Sequence, residues 1–499
     1  VLDNVKQVSL TGKRAVVIGG GITGLAAARV LSDRGARVTL LERDPDNGAA
    51  SAREAFESWQ RRGAPQVRHS HAFLGRLRSL LRDHYPDILE GLLAAGAREL
   101  DMLERPPVTL GPIGYQPGDE DFVALGCRRT TFEWVIRRII SSNELVDLIP
   151  GAKVLGLTSS HAPTVDGVRY TRDDRERHAA ADIVVDASGR GSRAPAWLEE
   201  IGAARPAEEE KSSGIIYFTR FYRLRKGAGE PPPSPQPSAA DYNWIKFAVF
   251  PADGETFSIT FAVPLVVPRL KVLAHQEAFD AMVNAIPGIA PWAAADRSEP
   301  IGDPDRPVLM MGGLINRKRS FVADGSPIAP GFFPLGDAVH CTNPLYGRGC
   351  ALAFVHAHLM GQSFDAAGGD PHAAMVDLDK RARGEIEPFY RASVMADSDA
   401  VRKAEGRPAN KLENRIRSFI IEQGVLVGTR CDPVIFRAFL RMFNMFEAPE
   451  KAFGSRQVIL RTLWILARGK RFRQRFALPP APDRESTIAA CEQAAALHG

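Results

Sequence analysis

Cysteine is scarce. Five residues in 499 stand at positions 127, 341, 350, 431 and 491, with no C-x-x-C pair and no His/Cys cluster at ligand spacing. That argues against a zinc site or any other metal centre and gives no sign of a disulfide framework, so a reducing compartment is expected. An excess of one charge is missing too. The formal net charge of +5 is spread over the whole chain, too dilute to point to nucleic acid. Long apolar runs are absent: FSITFAVPLVV is far shorter than a bilayer span, and Pro264 interrupts it. The opening VLDNVKQVSLTGKR lacks the apolar core of a secretory signal, and a cytoplasmic location is expected. With 44% hydrophobic and 25% charged residues, the composition is that of a folded globular protein, and its length suggests two or three structural units.

What is present begins at KRAVVIGGGITGLAAARVLSDRGARVTLLERD, which reads as strand, turn, helix and strand. Ala15–Ile18 is a short apolar run suited to a buried parallel strand. Gly19 to Gly24 then fit G-x-G-x-x-G. Gly19 allows the bend, Gly21 admits a pyrophosphate to the backbone, and Gly24 lets the helix pack close to the strand. Thr23 lies within the same turn and is grouped with the cofactor contacts. The helix N-terminus offers free N–H groups and a positive dipole end to phosphate. The strand RVTLLE ends at Glu42, about twenty residues on, where a carboxylate can accept from both ribose hydroxyls of an adenosine. Arg43 beside it can cover the adenine or take phosphate charge. These features predict a dinucleotide site without separating FAD from NAD.

Two later stretches bear on that choice. ADIVVDASGRGSRAPAWLEEIG places another apolar strand before a turn of small residues. A short strand near Leu335 ends in Gly336-Asp337, and GCALAFVHAHLMGQSF then reads as a helix. An NAD domain usually completes its site within one contiguous unit. Pieces scattered over more than three hundred residues suit a flavin domain interrupted by a substrate domain.

On these three motifs, in this order, residues 13 to 365 resemble the FAD-dependent aromatic hydroxylases and epoxidases, the single-component (group A) flavoprotein monooxygenases. Three pieces, RRGAPQVRHSHAFL, DASGRGSR and NPLYGRG, are similar to the bacterial polyene epoxidases of polyether biosynthesis. The resemblance implies an α/β fold: a Rossmann-like FAD-binding domain of the para-hydroxybenzoate-hydroxylase type, interrupted by an antiparallel-sheet substrate domain and followed by a C-terminal helical cap. The expected boundaries are 1–200 and 306–385 for the two parts of the FAD domain, 201–305 for the sheet and 386–499 for the cap. It also implies that Gly336-Asp337 brings a carboxylate to the flavin ribitol. Pro344, Gly347 and Gly349 form the loop beside the flavin ring, with Tyr346 against substrate or merely packed. Arg129 is expected near the flavin or its phosphates, and Gln66, Arg68, His69 and His71 on the path to the flavin pocket. The reaction implied is monooxygenation: FAD reduced by NADPH or NADH reacts with molecular oxygen, forms a C4a-hydroperoxide and passes one oxygen atom to an apolar or aromatic substrate, free or borne on a peptide. Pro344, Tyr346, Gly347 and His69 are the candidate catalytic positions.

One departure stands out. Many group A hydroxylases carry Asp-Gly in the second motif, whereas this chain has Ser188-Gly189 with Asp186 two places earlier. A flavin role survives that change; direct use of NADPH is put in doubt. Three other readings stay open: a flavin reductase or dehydrogenase of the geranylgeranyl-reductase kind, a non-catalytic flavoprotein, and a halogenase. The last is disfavoured because YNWIKFAVFP does not supply the W-x-W-x-I-P stretch and catalytic lysine that it needs.

The remaining features have plainer readings. His69 and His71 face one side if their segment is a strand, as a proton relay or as ordinary loop residues. His356 and His358 fall on an apolar helix, where satisfied structural histidines are expected, and His340 lies nearby. GAGEPPPSPQP is a proline-rich surface loop between stretches that alternate as antiparallel strands. Trp244, Phe247, Phe250, Phe257 and Phe261 could line a large apolar pocket, but strand aromatics are more often core and none is assigned to substrate. From about Glu385 the chain is helical. RQVILRTLWILARGKRFRQRF, with Arg461, Arg468, Lys470, Arg471, Arg473 and Arg475 close to Leu463, Trp464 and Leu466, suits a membrane surface or an acidic partner. A solvated face of the cap is the preferred reading.

Overall fold

The computed structural model describes residues 9–46, 48–59, 61, 64–344, 347–409 and 411–497. Its centre is a five-stranded parallel sheet in the order Phe332–Pro334, Ile183–Asp186, Arg14–Ile18, Arg37–Glu42, Val146–Pro150. Strands buried on both faces must be apolar throughout. VVI and IVV meet that requirement, with Val16, Val17, Ile183, Val184 and Val185 all excluded from solvent. The register places Ile18 beside Asp186, and Asp186 beside Pro334. The three turns that follow these strands therefore emerge side by side from one edge, where open α/β sheets hold ligands.

Two helices cross behind that edge. Ile22–Ser32 and Arg348–Ala366 pack on each other, and both are apolar nearly all round, the pattern of a buried helix. Small residues allow the close approach. A Cβ on Gly361 would stand 2.6 Å from Val30 Cγ1 and from Arg34 Nη1. The far end of the crossing is tied by Arg34, which donates from Nε and Nη2 to the two carboxylate oxygens of Asp365 at 2.9 and 2.5 Å.

The second sheet is antiparallel, in the order Ala239–Asp241, Lys246–Pro251, Thr256–Pro264, Ile215–Leu224, Ser298–Ile301, and Leu309–Met311 also pairs with Ile215–Leu224. Side chains alternate across such a sheet. One face carries Phe218, Phe257 and Phe261 into a core closed by the helix Gln276–Ala285. The other carries Thr219, Ser258 and Thr260 against His69 and Ser70. Trp244, Phe247, Phe257 and Phe261 pack into that closed core, whereas Phe250, which pairs with Ser258, is half-buried on the other face.

Beyond Glu385 the chain is helical, with Glu387–Ala404, Leu412–Ile420, Pro433–Phe443, Pro449–Gly454, Arg456–Ala467, Gly469–Gln474 and Arg484–Ala496. Pro433–Phe443 is held by buried Arg437, which donates to both oxygens of buried Asp119 at 2.9 and 2.7 Å. The last helix returns to pack on Gln276–Ala285, behind the antiparallel sheet. The basic stretch RQVILRTLWILARGKRFRQRF forms two helices, because Gly469 takes a left-handed φ of +82° after Arg468. Among the described residues no helix is long and apolar enough to cross a membrane.

Candidate active-site cleft

Between the emerging turns and a far side that includes His69–His71 and Met311 lies a cleft of about 670 Å³, within the range of small-molecule sites. Gly19, Gly21, Thr23, Glu42, Arg43, Gln66, His69, Arg129, Ser188, Gly189, Asp337, Pro344, Gly347 and Gly349 all line it. Three expected contacts do not. Gly24 lies beneath the turn, where a Cβ would meet the Gly19 carbonyl oxygen at 1.8 Å. Gly336, at φ +58°, is covered by Thr23, whose Oγ1 stands 2.6 Å from where a Cβ would be. Arg68 turns away and donates to the carbonyls of Glu57 and Trp59 at 3.2 and 3.1 Å. Tyr346 falls outside the described residues.

The first turn is braced from behind by charge. Glu42 Oε2 accepts from the Gly20 amide at 2.9 Å and from Arg61 at 3.1 Å, and Oε1 accepts from the Asp44 amide at 2.8 Å. Arg61 and Arg137 both donate to the Gly20 carbonyl, at 3.3 and 3.1 Å. Burial opposes ionisation of Glu42, but Arg61, the Asp44 amide and Arg137 outweigh it and hold the carboxyl below its ordinary range. Three of about four acceptor positions on this carboxylate are thus filled, which leaves room for one ribose hydroxyl where the sequence suggested two. Arg61 also reaches Glu133 at 2.7 Å and Asp44 at 3.5 Å. Sequence reasoning missed this cluster, although Arg129, Glu133 and Arg137 recur every four residues along the helix Arg129–Ser141 and so share a face.

The second turn closes on itself. Asp186 Oδ1 accepts from the Ser188 amide and hydroxyl at 2.9 and 2.5 Å, and Oδ2 from the Ser192 hydroxyl at 2.6 Å. The acid holds the turn, while Gly189 at φ +75° leaves open space beside its backbone. The third turn is fixed through His356, whose Nδ1 accepts from the Gly336 amide at 3.1 Å. That bond needs a neutral ring, and burial pushes His356 down to about 3. Asp337 next to it faces the cleft, and no described residue donates a hydrogen bond to it. Burial raises its carboxyl above the ordinary value, against the pull of Arg129, Arg190 and Arg317.

Gly347, at φ +66°, caps the helix Arg348–Ala366 and leaves that N-terminus without a side-chain cap. A Cβ there would stand 2.6 Å from Ala72 Cβ, while Gly349 has nothing within 4 Å and opens on the cleft. The loop is anchored one residue before Pro344. Asn343 accepts from Tyr217 Oη at 2.7 Å, donates its side-chain amide to Asp397 at 2.7 Å and its backbone N–H to Asn316 Oδ1 at 2.9 Å. Asn316 donates to the other Asp397 oxygen at 2.6 Å.

The opposite wall is formed in part by His69, Ser70 and His71, and a run of buried hydroxyls lies behind them. His69 Nδ1 lies 3.3 Å from Thr219 Oγ1, Thr219 pairs with Thr260 at 2.8 Å, and Ser70 joins Thr260 and Ser258 at 2.6 Å each. His71 Nδ1 faces the His69 carbonyl at 2.8 Å, which can only accept, so Nδ1 carries the proton. Its Nε2, 3.4 Å from Arg129 Nη1, is the acceptor. Both rings are neutral: burial lowers His69 to about 4, and burial together with the Arg129 charge lowers His71 to about 3.

Residues 14–172 match the family model described as FAD dependent oxidoreductase. Protein Rv3254 of Mycobacterium tuberculosis is 28% identical over 452 residues, covering 87% of this chain and 90% of that one. Among solved structures, PqsL, a probable FAD-dependent monooxygenase from Pseudomonas aeruginosa, superposes with a TM-score of 0.56 at 17% identity, over 79% of this chain and 98% of its own. CndH, the myxobacterial chondrochloren halogenase described as a variant of FAD-dependent halogenases, gives 0.59 at 19% identity, over 87% and 97%. At such identities the likeness is one of fold. The fold is α/β, with a FAD-binding Rossmann-like domain joined to an antiparallel sheet and a helical C-terminus.

Two glycines of the first turn are expected to fail differently. Gly24→Ala sets a methyl against backbone that cannot yield and should cost about 1–3 kcal/mol, read as a lower urea midpoint without added flavin. Gly21→Ala has open space and should leave that midpoint unchanged while weakening FAD binding about tenfold, roughly 1.4 kcal/mol, in a fluorescence titration. The wall histidines set a pH dependence. Their folded pKa values, about 4 and about 3, lie below the ordinary 6.5, so their contribution is whole above pH 6.5 and is lost as pH falls toward 4. Each should add about 1.4 kcal/mol per pH unit to the slope there. Urea melts of His69→Gln/His71→Gln should show a shallower slope; an unchanged slope would count against neutral rings at these positions.

Proposed function

We propose that this protein is a FAD-dependent monooxygenase that hydroxylates or epoxidises an apolar or aromatic substrate, with NADPH or NADH as reductant and molecular oxygen as co-substrate. One observation carries the reading. A glycine turn, a carboxylate to which no described residue donates and a helix N-terminus without a side-chain cap meet in one cleft, facing His69, Ser70 and His71.

The residues present fit FAD, which when bound supplies the redox chemistry and the activation of oxygen. Gly21 and the N-terminus of Ile22–Ser32 offer amides and open space to a pyrophosphate. Glu42 has one acceptor position left for a ribose hydroxyl, and Asp337 offers both oxygens to the hydroxyls of the ribityl chain. The positive end of Arg348–Ala366 favours negative charge beside Gly347 and Gly349. Pro344 and Gly347 shape that end of the cleft, and the Asn343 anchor holds them. His69, on the cleft, can exchange a proton between Nδ1 and the buried Thr219 Oγ1 behind it.

The side chains argue against two other chemistries. Cys341 and Cys350 line the cleft, but burial pushes their thiols up to about 12 and about 11, so neither offers a thiolate for disulfide relay. The lysine among the described lining residues is Lys153, beside Ala152, whose amide donates to the Glu42 carbonyl. It stands at the Glu42 end of the cleft and gives no support to halide chemistry at the Pro344 end. Because Asp186 is spent on its own turn, reduction by nicotinamide cannot draw on that carboxylate.

The test is isotopic. Purified enzyme with NADPH and ¹⁸O₂ is offered polyenes, free aromatics and aromatic peptides, and products are analysed by mass. Gain of one ¹⁸O atom is expected. A product enriched in hydrogen and free of label would establish a reductase instead.

A further inference from the structure

We infer that the helices Leu412–Ile420 and Arg456–Ala467 form a docking surface for an anionic membrane. This rests on the C-terminal helices alone and stands apart from the flavin chemistry. Leu412–Ile420 contains no buried residue. A nine-residue helix is marginal by itself, and its apolar side chains Leu412, Ile416 and Phe419 are 72, 51 and 50% exposed. Their i, i+4, i+7 spacing places them on a single stripe. Arg456–Ala467 is apolar on two sides. Val458, Thr462 and Ile465 are buried, with Val458 and Ile465 in a small core beside Val425, Ile435 and Ala438, while Ile459, Leu460, Leu463 and Trp464 face outward at 45 to 56% exposure.

The two faces are joined. Gly424, just past the first helix, abuts Thr462 and Leu466 of the second. Arg473 lies 5.8 Å from the Phe419 ring and donates to the Leu466 carbonyl at 2.9 Å. Trp464 meets Phe472 edge-on at 5.8 Å, and Arg468 covers both rings at 5.0 and 4.6 Å. An apolar patch of this kind on a monomer marks an interaction site.

The charge around it selects the occupant. Residues 452–482 hold seven Lys and Arg and no Asp or Glu. Arg468, Lys470, Arg471 and Arg475 form no ion pair among the described residues. A second copy would bring the same cationic rim against this one, at a Coulombic penalty. A lipid surface bearing negative headgroups takes the apolar stripe into its acyl boundary and the rim onto its phosphates, with Trp464 at the interface where indoles collect. The sequence alone favoured a solvated basic face; the outward Leu460, Leu463 and Trp464 beside an unburied helix tip the balance to the membrane.

The full-length protein is to be sedimented with phosphatidylcholine vesicles with and without phosphatidylglycerol. Binding to the anionic vesicles only is expected, weakening as salt is raised. Leu460→Glu/Leu463→Glu should abolish it, and Lys470→Glu/Arg471→Glu should weaken it at least about tenfold, both with unchanged circular dichroism. No binding to anionic vesicles, or binding that both variants retain, would overturn the proposal. So would a solution dimer that Leu460→Glu/Leu463→Glu dissociates while vesicles stay unbound, which would make the face a contact between copies.

Discussion

Parallel pairing of three short strands underlies everything the cleft contains. Arg14–Ile18, Ile183–Asp186 and Phe332–Pro334 are spread over more than three hundred residues, yet their register brings Ile18, Asp186 and Pro334 into one row. Each strand is apolar enough to be buried on both faces, and each ends in a turn whose backbone a larger residue would distort. Shifting any of the three by one residue would invert its side chains and move its turn off the row. The antiparallel sheet can be inserted between the second and third strands because the pairing of the parallel sheet does not require continuity of chain.

Two polar assemblies then fix what the strands bring together. Behind the first turn, Arg61 and Arg137 hold the Gly20 carbonyl while Glu42 holds its amide. At the loop, Asn343 is locked by Tyr217, Asn316 and Asp397. Buried charges of this kind add little net stability compared with apolar packing, yet removing one partner is costly. Their effect is geometric: backbone groups facing the cleft are held in place before a ligand arrives, which lowers the ordering cost of binding.

Much of this was legible in the chain. The glycine turn and Glu42 could be read because the fingerprint is local and each residue has a steric task. Asp337 and the Gly347 loop were found through their resemblance to a known arrangement rather than by any periodicity. What could not be read shares one property, which is that its partners are remote in sequence. Asp397 sits in a helix 54 residues past Asn343, and nothing about its neighbours marks it. Arg68 and Arg61 lie in the same stretch, and only the fold decides that Arg61 enters the charge cluster while Arg68 turns to the carbonyls of Glu57 and Trp59. The aromatics of the second sheet follow strand parity into the core, and the basic C-terminal stretch breaks at Gly469 because that residue takes a left-handed φ. Local pattern announces elements; tertiary contact assigns their faces.

On the proposed function, FAD occupies this cleft with Asp337 accepting from its sugar chain. The visible spectrum of the purified protein, reconstituted with FAD and freed of excess, tests it most directly. A flavin band at one FAD per chain is expected, and its loss in Asp337→Ala with circular dichroism unchanged. Absence of a flavin band after reconstitution, or an Asp337→Ala protein that binds FAD as tightly as the parent, would contradict it.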